Sequence, residues 1–262
     1  MKIAVCMSGQ LRQWEIAKEN QKWFWETSGV EIDYFIHTWD YSGDREGVSQ
    51  PYITRDVSRK EFDTLVDWYK PKGCMFDDRK QDFFYANDHW SSLFYSMAHS
   101  MMLKRQYENA NDFEYDLVIK TRPDVVFDPR YHFTWEPLED NILFATQGGL
   151  MESEFHMFNT NDMVFYGKSY TMDLVIPMYF YRQKMLDQRN LFKDKLFTGS
   201  MGPGVLMQEY FRDYGITTQS IQPNRSTFIE TLVKLGCPQD LNLMDHNEFH
   251  KMEKYFRDWY TK

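Results

Sequence analysis

Two runs of mostly apolar residues open the chain, and each has the length of a β-strand. Residues 2–8 form the first run, and residues 32–39 form the second, shortly after Gly29. Between them, apolar and polar residues mix at helical spacing over residues 13–27. Strands that are apolar on both faces are typical of mostly parallel sheets, and a helix-length connection allows two strands to pair in parallel. The pattern predicts strand, helix and parallel strand.

The alternation of strands and helices continues through most of the chain, after a long polar loop at residues 40–57. Helices are predicted from the Ser58 capping box to Pro71, and over residues 90–109, 169–186 (with a kink at Pro177), 203–211 and 246–260. Strands are predicted over residues 73–76, 115–122, 141–146, 162–167 and 216–221, with extended structure at 125–127. Because no repeat or linker interrupts this order, we expect one α/β domain over residues 1–262. Its sheet should be open, mostly parallel and flanked by helices, with a less regular second half.

Composition supports a large core and disfavours several partners. Apolar residues make up 42% of the chain and aromatic residues 18%, whereas the net charge of -9 disfavours nucleic acid as a partner. No apolar stretch is long enough to span a membrane, and the opening segment is too short for a signal peptide. The cysteines Cys6, Cys74 and Cys237 are few and widely spaced, which is typical of buried thiols in a reducing compartment. We therefore expect a cytoplasmic protein.

Candidate chemistry lies directly after the predicted strands, because ligands of open α/β sheets bind at the carboxyl ends of strands. Three sets of residues occupy such positions: Ser8, Gly9, Gln10 and Arg12; His37, Trp39 and Asp40; Arg122 and Asp124. Gly9 also fits a plain tight turn, and His37 also fits a core position. Arg122 and Asp124 also fit an ion pair at a strand end, where we expect both side chains to face solvent.

The order of three motifs resembles one family. The motifs are SGQLR at residues 8–12, FIHTWD at residues 35–40 and YDLVIKTRPDVVF at residues 115–127. Together they resemble GT-A-like glycosyltransferases of the small type associated with microbial and viral polysaccharide synthesis. The motifs cover about half of the chain, and the second half matches only loosely. The resemblance implies a GT-A-like (Rossmann-like) sheet, a nucleotide-sugar-binding half at residues 1–127 and an acceptor-side half at residues 128–262.

The same resemblance implies the substrates and their place. A nucleotide-diphosphate sugar would lie across the carboxyl edge of the sheet and give its sugar to a glycan or other hydroxyl acceptor. Where the family has an Asp-x-Asp motif, this chain has Arg122, Pro123 and Asp124. Either Asp124 helps to hold Mg²⁺ or Mn²⁺, or Arg122 neutralises the diphosphate without a metal and Asp124 binds sugar hydroxyls. The Arg122 route is the preferred interpretation.

An inverting transferase also needs a group that accepts the proton of the acceptor hydroxyl. Besides Asp124, the candidate catalytic carboxylates are Asp162, at the start of a predicted strand, and Glu209, in the middle of a predicted helix. Asp162 also fits a capping role, and Glu209 also fits an exposed helix position. The alternative function is a non-catalytic module that binds a nucleotide sugar or carbohydrate through a degenerate site. The motifs of serine hydrolases, P-loop enzymes, zinc proteases and dinucleotide-binding enzymes are absent from the sequence.

Overall fold

The computed structural model describes residues 1–12, 14–26, 30–42, 55–78, 89–125, 127, 139–147, 160–181 and 203–220. The strands are β1 (Lys2–Ser8), β2 (Glu31–Trp39), β3 (Tyr41–Ser42), β4 (Arg55–Asp56), β5 (Gly73–Asp77), β6 (Leu117–Thr121), β7 (Ile142–Gln147), β8 (Thr160–Gly167) and β9 (Thr217–Ser220). The helices are α1 (Trp14–Glu26), α2 (Arg59–Tyr69), α3 (His89–Asn111), α4 (Ser169–Asp173) and α5 (Pro203–Asp213), and residues 175–181 are also helical. The predicted helix at residues 246–260 and most of the loop at 40–57 lie outside the described residues.

Seven strands form one sheet in the order β5-β2-β1-β6-β8-β7-β9, and β3 pairs with β4 separately. Strand β1 pairs in parallel with β2 and β6, β2 pairs in parallel with β5, and β7 pairs in parallel with β9. Among the described strands of this sheet, only β8 runs antiparallel to its neighbours, β6 and β7. The described residues thus form a mostly parallel, open α/β sheet, and the predicted fold class is confirmed.

Strand direction defines one edge of this sheet at which several strands end. The parallel strands β1, β2, β5 and β6 end on the same side, at Ser8, Trp39, Asp77 and Thr121. Because β8 runs the other way, its first residue, Thr160, lies on that side as well. We call this side the carboxyl edge.

Helices cover both faces of the sheet. Strand β1 alternates between them: Val5 packs with α1 and α2 on one face, and Cys6 packs with α3, α4 and α5 on the other. The methionines of α3 belong to the second face, where Met97 and Met101 are fully buried. Burial on both faces explains why the central strands are apolar throughout.

The start of α2 follows the sequence prediction in part. The Ser58 hydroxyl accepts a hydrogen bond from the Glu61 N–H at 3.2 Å, which satisfies one of the free donors of the first turn. The Glu61 carboxylate does not complete the capping box, because it binds the Arg55 guanidinium instead. After the helix ends at Tyr69, Lys70 takes the left-handed conformation.

Two predictions about local structure are wrong. The helix predicted over 169–186 with a kink at Pro177 is interrupted earlier, at Leu174. Pro177 has no N–H for the carbonyl of Asp173, and its ring would crowd that carbonyl, so the break lies one turn before the proline. Cys74 is exposed rather than buried because it lies on the edge strand β5, whereas Cys6 on the central strand is buried.

None of the described helices is both long and apolar enough to cross a membrane.

Candidate functional site

The segment that follows β6 turns sharply, and two of its side chains meet. Nε and Nη2 of Arg122 donate to the two carboxylate oxygens of Asp124 at 2.8 Å and 2.6 Å. Only 5% of the Asp124 side chain and 18% of the Arg122 side chain are exposed. The expectation that both face solvent is therefore wrong for Asp124. The turn closed by the Val125 N–H on the Arg122 carbonyl, at 3.3 Å, brings the carboxylate against the guanidinium.

The ion pair determines the charge of Asp124. Burial alone raises the pKa of this carboxyl, but the Arg122 guanidinium outweighs burial, and Arg12 adds to its effect. The pKa of Asp124 is therefore lowered from its ordinary value. The carboxylate is ionised at neutral pH and accepts two charge-assisted hydrogen bonds.

Asp162 lies on the same side of the sheet as this pair. Its Oδ2 is 3.9 Å from Nη1 of Arg122. From the sequence, Asp162 is predicted at the start of a strand. In a wholly parallel sheet, the starts of the strands lie at the edge opposite to the carboxyl edge. The antiparallel direction of β8 brings it to the carboxyl edge instead, two residues after the strand begins at Thr160.

Lys120 is a functional candidate that sequence reasoning missed. Its side chain is fully buried, and its ammonium donates to the backbone carbonyl of Asp162. Burial is the main reason why its pKa is lowered to about 7; Arg122 lowers the pKa further. The nearby carboxylates of Asp162 and Asp124 oppose that change. One feature of the sequence could have indicated its role: Lys120 lies inside an otherwise apolar strand. Lysine is almost never fully buried without a partner.

The glycine turn after β1 borders the same ion pair. Gly9 has φ of +130°, a conformation open mainly to glycine, and its N–H donates to the His37 carbonyl at 3.3 Å. A Cβ at Gly9 would lie 3.8 Å from Cγ of Arg122, so the turn packs directly beside the guanidinium. Next in the turn, Gln10 accepts a hydrogen bond from Nε of Arg12 at 2.9 Å.

Ser8 closes the first candidate set. Its side chain is fully buried, and its hydroxyl has no hydrogen-bond partner among the residues that the structure describes. A buried hydroxyl without a partner is costly, and contact of this oxygen with a ligand at the carboxyl edge stays a prediction. The structure thus brings Ser8, Gly9 and Arg122 to adjacent positions.

Helix α1 holds the segment after β6 in place, and sequence reasoning missed this as well. The Gln21 side-chain amide donates to the carbonyls of Arg122, Pro123 and Val125. Asn20, one residue earlier, binds both backbone groups of Phe127. In the sequence, these amides were indistinguishable from the exposed polar residues of an amphipathic helix.

The His37 side chain lies in the core. Its Nδ1 is 2.8 Å from the Ser96 hydroxyl and its Nε2 is 3.3 Å from the Asp77 carboxylate, which also accepts a hydrogen bond from Tyr95 at 2.8 Å. Burial lowers the pKa of His37, and Asp77 only partly offsets this effect. Serine, histidine and aspartate are in contact here, and all three residues are buried. His37 is therefore a buried residue whose ring partners are side chains rather than backbone groups, and its contact with a substrate stays a prediction.

Trp39 and Asp40 follow His37 at the end of β2. The Trp39 ring is buried, with its edge toward His37 at 4.7 Å and its face tilted toward Tyr95 at 5.3 Å. Trp39 is therefore part of the wall beneath the edge rather than an open stacking surface. Asp40 is partly exposed, and its backbone binds the Asp77 carbonyl and the Val57 N–H. Its contact with a substrate stays a prediction.

Glu209 lies within α5, where Met207 and Tyr210 are buried. Its side chain lies outside the described residues, so its role stays a prediction. Within the ranges that the structure describes, no three acidic, histidine or cysteine side chains form a group that could hold a metal ion.

Comparison with known proteins gives similarities to solved structures. No family model and no curated protein matches the sequence. The glycosyltransferase GlyE of Streptococcus pneumoniae TIGR4 is similar in structure, with 14% sequence identity and a TM-score of 0.40. The similar region covers 84% of this chain and 45% of the GlyE chain. Its apo form gives the same coverage, 15% identity and a TM-score of 0.41. This chain therefore spans less than half the length of that protein.

A third similar structure is a glycosyltransferase involved in the glycosylation of the major capsid of PBCV-1. The similar region covers 85% of this chain and 82% of the chain of that glycosyltransferase, with 8% sequence identity and a TM-score of 0.39. These three structures belong to two proteins, and both are described as glycosyltransferases. The fold of the described residues is defined by its own strand order, a mixed seven-stranded sheet flanked by helices.

Proposed function

We propose that this protein transfers a sugar from a nucleotide-diphosphate donor to a glycan or small hydroxyl acceptor. The observation that carries the proposal is the convergence of Arg122, Asp124 and Asp162 at the carboxyl edge, beside the Gly9 turn. Ligands of open α/β sheets bind at this edge. A guanidinium flanked by two carboxylates there suits a ligand that carries both a diphosphate and sugar hydroxyls.

In this proposal, Arg122 stabilises the negative charge that develops on the leaving diphosphate. Asp124 already holds the Arg122 guanidinium in place, so the side chain needs little reorganisation when the charge on the diphosphate develops. Arg12 adds further positive charge near the pair. Asp162, next to Arg122, is the candidate that accepts the proton of the acceptor hydroxyl. Ser8 and Gln10 would contact the nucleotide.

A divalent metal ion fits the described residues poorly. Magnesium requires a near-octahedral set of oxygen ligands. Both oxygens of Asp124 already accept hydrogen bonds from Arg122, and Asp162 faces the same guanidinium. The proposal therefore assigns neutralisation of the diphosphate to Arg122. A turnover that EDTA abolishes and Mn²⁺ restores would contradict this assignment.

The experiment is titration calorimetry with UDP-sugars and GDP-sugars, followed by an assay of donor turnover. CMP-sugars, which have one phosphate, serve as the negative ligand control. We expect Arg122→Ala to lower turnover at least about 100-fold, the usual cost of removing a group that stabilises developing charge. Arg59→Ala is the matched control, because Arg59 also forms an arginine–aspartate pair but is exposed on α2. Wild-type turnover in Arg122→Ala would refute the proposal.

The alternative function is a non-catalytic module that binds a nucleotide sugar or carbohydrate. It is favoured by one observation: the Asp124 carboxylate is occupied by Arg122 and lies largely out of solvent. Donor binding without hydrolysis or transfer would support the module. Binding together with turnover would support the transferase. A cytoplasmic location and the division at residue 127 into donor and acceptor halves belong to the same proposal.

A further inference from the structure

The pairing of β6 with β8 leaves a gap near the candidate site. The two strands pair antiparallel, with Ile119 opposite Tyr166 and Lys120 opposite Phe165. Continued by three residues, this register would place Pro123 opposite Asp162. A proline has no N–H to donate. At that position, the backbone of β6 therefore offers no N–H that could donate a hydrogen bond to β8 at Asp162.

Lys120 supplies a donor at this point. Its ammonium donates to the Asp162 carbonyl from the last paired position of the ladder. The side chain that reaches there is fully buried and passes the Phe165 ring, whose centroid is 5.7 Å from Nζ. Burying an ammonium group costs free energy, whereas burying an apolar side chain of the same length does not. Packing alone thus does not account for a lysine on this strand.

The consequence concerns the side chain of Asp162. Its carboxylate is 3.9 Å from the Arg122 guanidinium, at the amino end of β8, beyond the last paired position of β6. We infer that Lys120 is a positioning residue for the proposed reaction: by binding the Asp162 backbone, it holds that carboxylate beside Arg122. The catalytic consequence rests on the proposed function, whereas the positioning itself does not.

The test uses Lys120→Met, which keeps the length of the side chain and removes the donor. Hydrogen–deuterium exchange is measured over residues 160–167, with the β1 segment as internal reference. We expect exchange in β8 to rise about tenfold in the variant, since a buried carbonyl loses a charge-assisted hydrogen bond. Ile119→Val, at the neighbouring position of β6, is the matched control: it removes one buried methylene but no donor, and it should change exchange in β8 clearly less than Lys120→Met does.

Activity gives the second measurement. Lys120→Met should lower kcat about 100-fold, the loss expected when a reacting group is displaced by about 1 Å, while the donor KM changes little. A purely structural lysine would lower the unfolding temperature and leave kcat of the folded protein unchanged. Wild-type kcat with wild-type exchange in Lys120→Met would overturn the inference, as would a loss of kcat without a change in exchange.

Two further outcomes are distinguishable. If the wild-type protein turns over no donor, the proposed function fails, and exchange over residues 160–167 alone decides whether Lys120 positions Asp162. If Lys120→Met does not fold, Lys120→Arg is measured, because it keeps a donor and a charge. This variant should retain the protection of β8 and about a tenth of kcat or more. A folded Lys120→Arg that loses either property would contradict the inference.

Discussion

Asn20 and Phe127 are joined by two hydrogen bonds across 107 residues of sequence. The side-chain Nδ2 of Asn20 donates to the Phe127 backbone carbonyl at 2.7 Å, and the Phe127 N–H donates to the side-chain Oδ1 of Asn20 at 2.6 Å. Together with the contacts of the Gln21 amide nitrogen to three carbonyls, these bonds fix the segment that carries Arg122 and Asp124. The helix that follows the glycine turn therefore shapes the segment after β6, which physically connects two of the sequence motifs.

Asn20→Asp should destabilise the protein by about 2 kcal/mol, because the buried Phe127 carbonyl loses its donor and faces a carboxylate instead. Urea denaturation at neutral pH measures this change in the free energy of unfolding. Asn109→Asp is the matched control, since Asn109 is exposed near the end of α3, and it should change the free energy by no more than about 0.5 kcal/mol. An equal effect of the two substitutions would show that the two bonds to Phe127 contribute nothing to stability.

Arg122 and Asp124 should behave as one unit in a double-mutant cycle. The sequence-based expectation of solvent-facing side chains implied that either substitution would leave the fold untouched. Because Asp124 is buried, we now expect Arg122→Gln and Asp124→Asn each to cost about 2 kcal/mol of unfolding free energy. The double variant should lose clearly less than the sum of the two. Additive losses, measured by urea denaturation, would mean that the pair is not coupled.

Lys120 should make stability depend on pH. Its pKa is about 7 in the folded protein against an ordinary value of 10.5, mainly because of burial. Between these values the unfolded chain binds more protons, so the free energy of unfolding should rise with pH, by at most about 1.4 kcal/mol per unit. Below the folded-state pKa both states are protonated, and this contribution is constant.

The measurement compares wild type with Lys120→Met by urea denaturation between about pH 6 and about pH 9, a range that includes the folded-state pKa. Lys120→Met lacks the titrating group, so the wild-type stability should increase relative to the variant only above about pH 7. Parallel pH profiles for the two proteins would show that Lys120 keeps its ordinary pKa in the folded state.

The fold was predictable from the sequence because buried strands such as β1 and β2 are apolar on both faces and lie between turns. The direction of β8 was not predictable, since an antiparallel strand has the same local pattern as a parallel one. The proximity of Asp162 to Arg122 depends on that direction. The roles of Gln21 and Lys120 were also hidden, because a polar side chain in the sequence does not indicate which distant carbonyl it binds.

Gly9→Ala tests whether the shape of the glycine turn matters for the site. The new Cβ would lie 3.8 Å from Arg122 Cγ, an ordinary contact, so the cost should come from the backbone, at about 1–3 kcal/mol for φ of +130°. Relief of that strain would move the turn away from Arg122 and lower donor turnover. Gly215→Ala is the matched control, because Gly215 also has positive φ, at +73°, but has open space around it. Both variants should lose stability in urea denaturation, and only Gly9→Ala should lose turnover. Equal turnover in the Gly9→Ala and Gly215→Ala variants would mean that the glycine turn only ends β1 and does not shape the surroundings of Arg122.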